Sequence, residues 1–296
     1  MEWFTHALLA SALWAVAVIV DKFVLTHHIK DAFSYQILQI VTWIPPVFVL
    51  FICASFRNVP LLYLTILVIG MVLGMVFVLY NKALLIEEVS RVIPLFYISP
   101  LFVLLLSSLF LDEGLTVKRY IGIGLMVFSA ISVSFRRTEA TTLSPALFMI
   151  LFLDLIIAGK DVIAKFLFTY MDFWTYLFWF VLGNIVGRPF LLLLPGTWRN
   201  FIGDMKTLSR EIVLLCFINS ALVCAAYVLY FSAVSMTYVS LVSAIPSTQP
   251  FLVFLFATAL SVFYPDLIRE GVERTGVIIK GIAVATIITG SCLIVW

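Results

Sequence analysis

Apolar residues in this chain come in ten runs, each about as long as a lipid bilayer is thick. They cover residues 3–25, 33–56, 60–85, 89–111, 117–135, 143–168, 173–195, 211–235, 239–263 and 275–296. A hydrocarbon core takes about 20 helical residues to cross. Irregular backbone cannot face lipid, because its polar groups would have no partners. The runs therefore predict an all-α membrane protein with ten transmembrane helices. Composition agrees. Of 296 residues, 64% are hydrophobic and 11% charged, with a mean hydropathy of +1.17. A soluble domain carries roughly a quarter charged residues. The breaks between runs hold most of the charges and turn formers, and none is long enough for a soluble domain. The N-terminus starts acidic and runs on apolar for too long to be a cleavable signal, so it reads as the first span.

The runs repeat. Shifted by 150 positions, Tyr80 meets Tyr230, Ala83 meets Ala233, Val89 meets Val239, Ser90 meets Ser240 and Pro100 meets Pro250. "GIGLMVFSAISV" from Gly122 is similar to "GIAVATIITGSCLIV" from Gly281. Nearer the start, Lys22 aligns with Lys165 and Asp31 with Asp172. The chain thus reads as two five-helix units, residues 1–137 and 142–296. Five is odd, so the second unit crosses the membrane in the opposite sense. Inverted repeats of this kind rock about a site near the midplane in secondary transporters.

The segment "YNKALLIEEVSRVIPLFYISPLFVLLLSSLFLDEGLTVKRYIGIGLMVFSAI" (80–131) resembles EamA-type members of the drug/metabolite transporter superfamily. The resemblance rests on Tyr80, Ala83, Leu84, Pro100, Glu113, Gly122 and Gly124. The second copy keeps Tyr230, Ala233, Pro250 and Gly281 but has no clean counterpart of Glu113. The resemblance implies a ten-helix transporter fold and leaves the substrate open.

Polar groups inside the spans point the same way. Asp154, Ala158, Asp161 and Lys165 share one stripe of the sixth span at about 100° per residue. Asp161 precedes Lys165 by four positions, the better order for a helical ion pair. Lys160 points away from that stripe. A central Asp or Lys facing lipid costs about 2.5–3.5 kcal/mol on insertion scales, so the stripe must face protein or water. It marks either a cavity wall or a buried structural pair. Asp154, without a basic residue at i±3 or i±4, is a carboxyl that could couple proton uptake to transport. In the second span Gln36, Gln39 and Trp43 form a stripe, and in the seventh Tyr176, Phe180, Asn184 and Arg188 do. Tyr230 and Ser243 complete the expected substrate-binding wall. Arg188 either contacts substrate or snorkels to the interface. Gly70, Gly74, Gly183 and Gly187 form two GxxxG motifs, which read as close helix approach. Pro246 and Pro250 interrupt the ninth span, where Ser243, Ser247 and Thr248 can repair broken hydrogen bonds. Lys22, Lys82, Arg188, Lys280 and Arg91 fall toward one mouth and hint at a preference for anions.

No catalytic motif is present: the sequence has no HExxH, GxSxG, DDxxD or Walker loop. The expectation is a non-enzyme without cofactor or metal. Its four cysteines read as buried packing and its three histidines as interfacial. A net charge of +2 gives no reason to expect nucleic acid. The leading reading is a multi-pass cell-membrane protein that moves a small-molecule substrate by alternating access, with proton-coupled efflux or exchange. The alternative is an intramembrane enzyme or flippase acting on a lipid-linked substrate. A homodimer is left open. So is orientation. Arg57, Lys118 and Arg119 lie on the side of the termini. Lys30, Arg91, Arg136, Arg137, Arg199, Lys206, Arg210, Arg269 and Arg274 lie opposite. That count places the termini outside, while the resemblance implies cytoplasmic termini.

Overall fold

A computed structural model describes residues 2–29, 31–56, 59–86, 92, 98–134, 145–249, 251–253, 255–256, 285–286, 288–290 and 292–294. Among the described residues every regular element is a helix. The N-terminal half contains α1 (Glu2–His27), α2 (Ala32–Thr42), α3 (Ile44–Cys53), α4 (Pro60–Val76), α5 (Val78–Ile86), α6 (Ser99–Phe110) and α7 (Val117–Ser134). The C-terminal half contains α8 (Pro145–Leu167), α9 (Phe173–Gly187), α10 (Thr197–Thr207), α11 (Arg210–Met236) and the short α12 (Val239–Ala244). A 3-10 turn, Arg188–Leu193, extends α9, and another, Ile245–Thr248, follows α12.

Among the described residues, four stretches are long and apolar enough to cross a membrane: Glu2–His27, Pro60–Ile86, Phe173–Leu193 and Arg210–Met236. Counting α2 and α3 as one span bent by 44° makes five. Helix α8 has 23 residues, about 35 Å at 1.5 Å per residue, and is set apart only by its four charges. The second apolar run is thus broken rather than straight. Pro45 and Pro46 cannot donate to the preceding turn and their rings crowd it, so the chain bends at Trp43. The stretch 197–207, expected to be a loop, is a helix. Gly196, at φ 83, makes the left-handed turn before it. Trp198, Phe201, Ile202 and Met205 then recur at helical spacing, the pattern of a helix lying along an interface.

Large apolar side chains such as Phe48, Ile52, Leu61, Leu109 and Phe110 are exposed on the outside of the bundle. Such a surface suits hydrocarbon and not water. Cys216 and Cys224 are buried as expected, but Cys53 and Cys292 are on this outer surface, where a thiol behaves as one more small apolar group.

Sequence-distant helices make the main contacts: α4 crosses α9, and α1 packs along α11. The α4–α9 crossing is made of backbone. A Cβ on Gly70 would meet Phe180 O at 2.2 Å, one on Gly74 Asn184 O at 2.3 Å, one on Gly183 Leu67 O at 2.1 Å, and one on Gly187 Met71 O at 2.3 Å. Both GxxxG motifs therefore meet in a single joint.

Several contacts occur twice, at positions that the sequence repeat aligns. Asp31 caps α2 through Ser34 N, and Asp172 caps α9 through Thr175 N. In each case the Ser or Thr hydroxyl also donates to the same carboxylate. The Lys22 ammonium donates to Leu84 O in the last turn of α5. Lys165 donates to Val234 O and Thr237 O, at 2.8 and 2.7 Å, at the end of α11. Where Gly70 and Gly183 meet, the aligned positions are Ser220 and Thr42, and these share a hydrogen bond of 2.7 Å. Two further members of the resemblance motif, Glu113 and Gly122, also have structural places. Glu113 accepts from Val239 N, Ser240 N and Ser240 Oγ and so caps α12. Gly122 and Gly290 bring α7 against residues 288–290, each within 2.8 Å of the other's neighbourhood were a Cβ added.

Candidate functional site

The bundle encloses a cavity of about 200 Å³ between helices of both halves. Its wall carries seven aromatic rings, those of Trp14, Trp43, Phe77, Tyr80, Phe180, Tyr227 and Tyr230. Polar groups are set into it: Asp21, Gln39, Asn184, Asn219 and Gln249, with Lys160, Asp161 and Arg188 as further charges. The break at Trp43 and the turn between α4 and α5 at Phe77 bring those two rings to the wall.

Of the expected wall, Gln39, Trp43, Phe180, Asn184, Arg188, Tyr230 and Ser243 line this cavity. Gln36, Asp154 and Tyr176 do not. Gln36 is buried between helices, donating to Gly74 O and accepting from Asn81 Nδ2, both at 2.9 Å. Tyr176 is fully buried and stacks on Phe180. Its hydroxyl has no partner among the described residues. Its counterpart in the repeat, Tyr35, donates to Asp21 at 2.5 Å, but the position aligned with Asp21 is Ala164. Asp154 is fully buried, neither carboxylate oxygen has a hydrogen-bond partner among the described residues, and it faces the first turn of α6 at Ser99.

The expected Asp161–Lys165 pair is not formed. Lys165 is taken by the free carbonyls at the end of α11, since a helix C-terminus leaves its last carbonyls without internal partners. Asp161 instead pairs with Lys160, Nζ to Oδ1 at 2.6 Å, and accepts from the Tyr230 hydroxyl at 3.0 Å. Adjacent helix residues do not face each other. The long Lys160 stem folds back, so the pair is in contact without the alignment of a hydrogen bond. Lys160 was expected to point away. Its ammonium lies 4.7 Å from the Phe231 ring centroid and within 5.6–5.8 Å of those of Phe180, Tyr227 and Tyr230. Rings attract a cation over their faces, which explains why this side chain turns inward.

Arg188 does not snorkel. It is 3% exposed, its Cζ sits 5.8 Å from the Trp43 ring centroid, and Nε and Nη1 have no partner among the described residues. Asp21 accepts from Tyr35 and from Asn219, the latter at 2.7 Å. Asp21, Asn219, Trp14 and Tyr227 are site residues that the sequence reading passed over. The ninth span is interrupted at Pro246 as expected. Ser243 and Thr248 donate to the carbonyls of Ser240 and Ile245, while Ser247 Oγ has no partner among the described residues. Pro250, Arg91 and Lys280 lie outside the described residues. Among the described residues no group of His, Cys, Asp or Glu could hold a metal ion. His6 hydrogen-bonds Ser232 at 3.1 Å.

A bundle of apolar helices around a polar, aromatic-walled cavity is an integral membrane protein. Residues 1–135 match the EamA-like transporter family, in agreement with the resemblance seen at residues 80–131, and the match points to a membrane transporter. One protein of known crystal structure shares the fold with a TM-score of 0.67 at 13% identity, over 98% of this chain and 94% of that one. No curated protein matches.

Proposed function

We propose that the protein is a secondary transporter of a small metabolite in the cell membrane. It has ten membrane helices in two inverted five-helix units, residues 1–137 and 142–296, and works by alternating access. The observation that carries this reading is the placement of the cavity. It is walled by both halves, is charged at mid-span, and is flanked by two crossings that the repeat makes equivalent. One crossing is α4 on α9 through glycine backbone. The other is α2 on α11 through Thr42 and Ser220. In a rocking mechanism, closing one such crossing accompanies opening of its counterpart.

Proton coupling through Asp154 belongs to this reading. The carboxyl lies outside the cavity but faces α6, whose Ser99 and Pro100 line it. A proton gained or lost there alters the grip on a helix that forms the wall. The test is counterflow in proteoliposomes with solutes selected by thermal-shift screening, since a ligand stabilises the state it binds. Substrate-dependent counterflow supports transport; a chemically altered product supports intramembrane catalysis. Asp154→Asn is expected to lose pH-driven accumulation and to retain exchange. Accumulation at the wild-type rate removes Asp154 from the coupling step.

A further inference from the structure

We infer that the cavity takes a small organic anion, and that Arg188 clamps its carboxylate or phosphate group while the planar or apolar body lies along the aromatic wall. This rests on the reading of the cavity as a substrate site. The argument starts from Arg188, a cavity-lining guanidinium that is 97% buried by its 3% exposure. An isolated buried charge is strongly unfavourable, and arginine does not escape by losing its proton. Yet Nε and Nη1 meet no acceptor among the described residues. Each of these donors belongs to a different edge of the planar guanidinium, Nε–H beside Nη2 and Nη1–H beside Nη2 on the other side, and either edge is a fork that matches two oxygens of a carboxylate or phosphate.

Among the described residues, neither carboxylate that lines the cavity is available to satisfy it. Asp161 is held by Lys160 and Tyr230. Asp21 is held by Tyr35 and Asn219. Asn184, one turn before Arg188 on the same helix face, also lines the cavity and can donate its amide to the same oxyanion. The other cations of this region are engaged elsewhere. Lys22 donates to Leu84 O, and Lys82 sits 4.3 Å over the Phe33 ring.

The same geometry disfavours a cationic solute. Four of the ring faces that would attract it, those of Phe180, Tyr227, Tyr230 and Phe231, already hold the Lys160 ammonium. A second cation would meet both Lys160 and Arg188. A neutral solute could accept from Arg188 but would leave its buried charge uncompensated.

The test uses the full chain in nanodiscs of zwitterionic lipid. The probes are benzoate, phenylacetate and phenyl phosphate, against benzamide and benzylamine, which match them in shape but carry no anionic group. Saturable thermal protection is expected from at least one acid and from neither control. The carboxylate and phosphate arms show which head group fits. Arg188→Gln is expected to weaken acid binding about tenfold or more, the range for a lost charge-assisted bond. Arg188→Lys, which keeps the charge without the fork, should fall between. Without ligand, Arg188→Gln should melt no lower than the wild type, because it removes an unpaired buried charge. A purely structural arginine would make that variant melt lower.

The inference is overturned if benzamide or benzylamine protects as well as the acids, if no acid protects, or if Arg188→Gln binds acid unchanged. Labelling of Asn184→Cys by a small water-soluble thiol reagent separates the two levels. If that cysteine reacts while no acid binds, the anion assignment alone fails. If it stays inert and no solute gives counterflow, the transporter reading fails with it.

Discussion

Gly183→Ala tests the α4–α9 joint with the smallest change a side chain allows. The added Cβ would lie 2.1 Å from Leu67 O and 2.9 Å from Leu67 C and Cα. All three are backbone atoms, so no rotamer change can relieve the clash. An ordinary carbon–oxygen contact is about 3.3 Å, so the helices must part by roughly 1 Å, enough to forfeit a quarter to a half of each dispersion contact along the seam. Overpacking typically costs about 1–3 kcal/mol, and a rigid joint shared by four glycines belongs at the upper end. At about 2–4 °C per kcal/mol for a chain of this order, the melting temperature should fall by roughly 6–12 °C. The assay is thermal unfolding of purified protein in detergent, followed by size-exclusion or by reactivity of buried Cys216 and Cys224. Gly159→Ala is the matched control, because a Cβ there meets nothing within 4 Å and alanine favours helix over glycine. It should melt at or above the wild-type temperature. If Gly183→Ala melts with the wild type, or if both variants fall equally, the reasoning from close backbone approach is wrong.

Other predictions follow from the site. Lys160→Met should destabilise by about 3–5 kcal/mol, since it leaves Asp161 charged and buried without its cation; the double variant Lys160→Met/Asp161→Leu should recover much of the loss, and denaturant unfolding of all three reads this directly. Cysteines at Gln39, Asn184 and Ser243 should react with a small water-soluble thiol reagent, while those at Gln36, Asp154 and Tyr176 should stay inert; the reverse pattern would mean the cavity faces are misassigned. A disulfide between Thr42→Cys and Ser220→Cys, whose native oxygens are 2.7 Å apart, should block counterflow until reduced. Full activity of the oxidised form would show that this crossing does not move.

Among the described residues, helix existence was readable from run length, because lipid leaves little else to choose. Internal breaks were readable in principle: Pro45–Pro46 stands inside the second run, and Trp198, Phe201, Ile202 and Met205 keep helical spacing inside a presumed loop. Run length was the wrong measure for both, since it neither sees kinks nor admits short interfacial helices. The site was partly readable for a different reason. Periodicity tells which face of a helix turns inward but not what it meets there. Gln39 and Trp43 meet the cavity, while Gln36, on the edge of the same stripe, meets Gly74 and Asn81. Lys160 escaped because a four-carbon stem can return a charge to a face its Cβ leaves. Asp21 escaped because its partners, Tyr35 and Asn219, come from two other helices, one of them in the other half of the chain.

The packing of α1 along α11 has a bearing on how the chain is made. Helix α1 ends at His27 and its main partner begins at Arg210, a gap of roughly 180 residues, or about 10–40 s of synthesis. Through that interval the part of α1 that α11 will cover, where Ala7, Ala10, Ala15 and Ala17 are buried in the finished fold, is left to lipid or to other helices of the first half, which small apolar residues tolerate. Asp21 lies on that same face and tolerates it less. Its first hydrogen-bond donor, Tyr35, is only 14 residues behind it, whereas Asn219 is 198 residues away. The nascent hairpin of α1 and α2 can thus shelter its own acidic residue at once, and the distant amide joins only when the second half has been inserted.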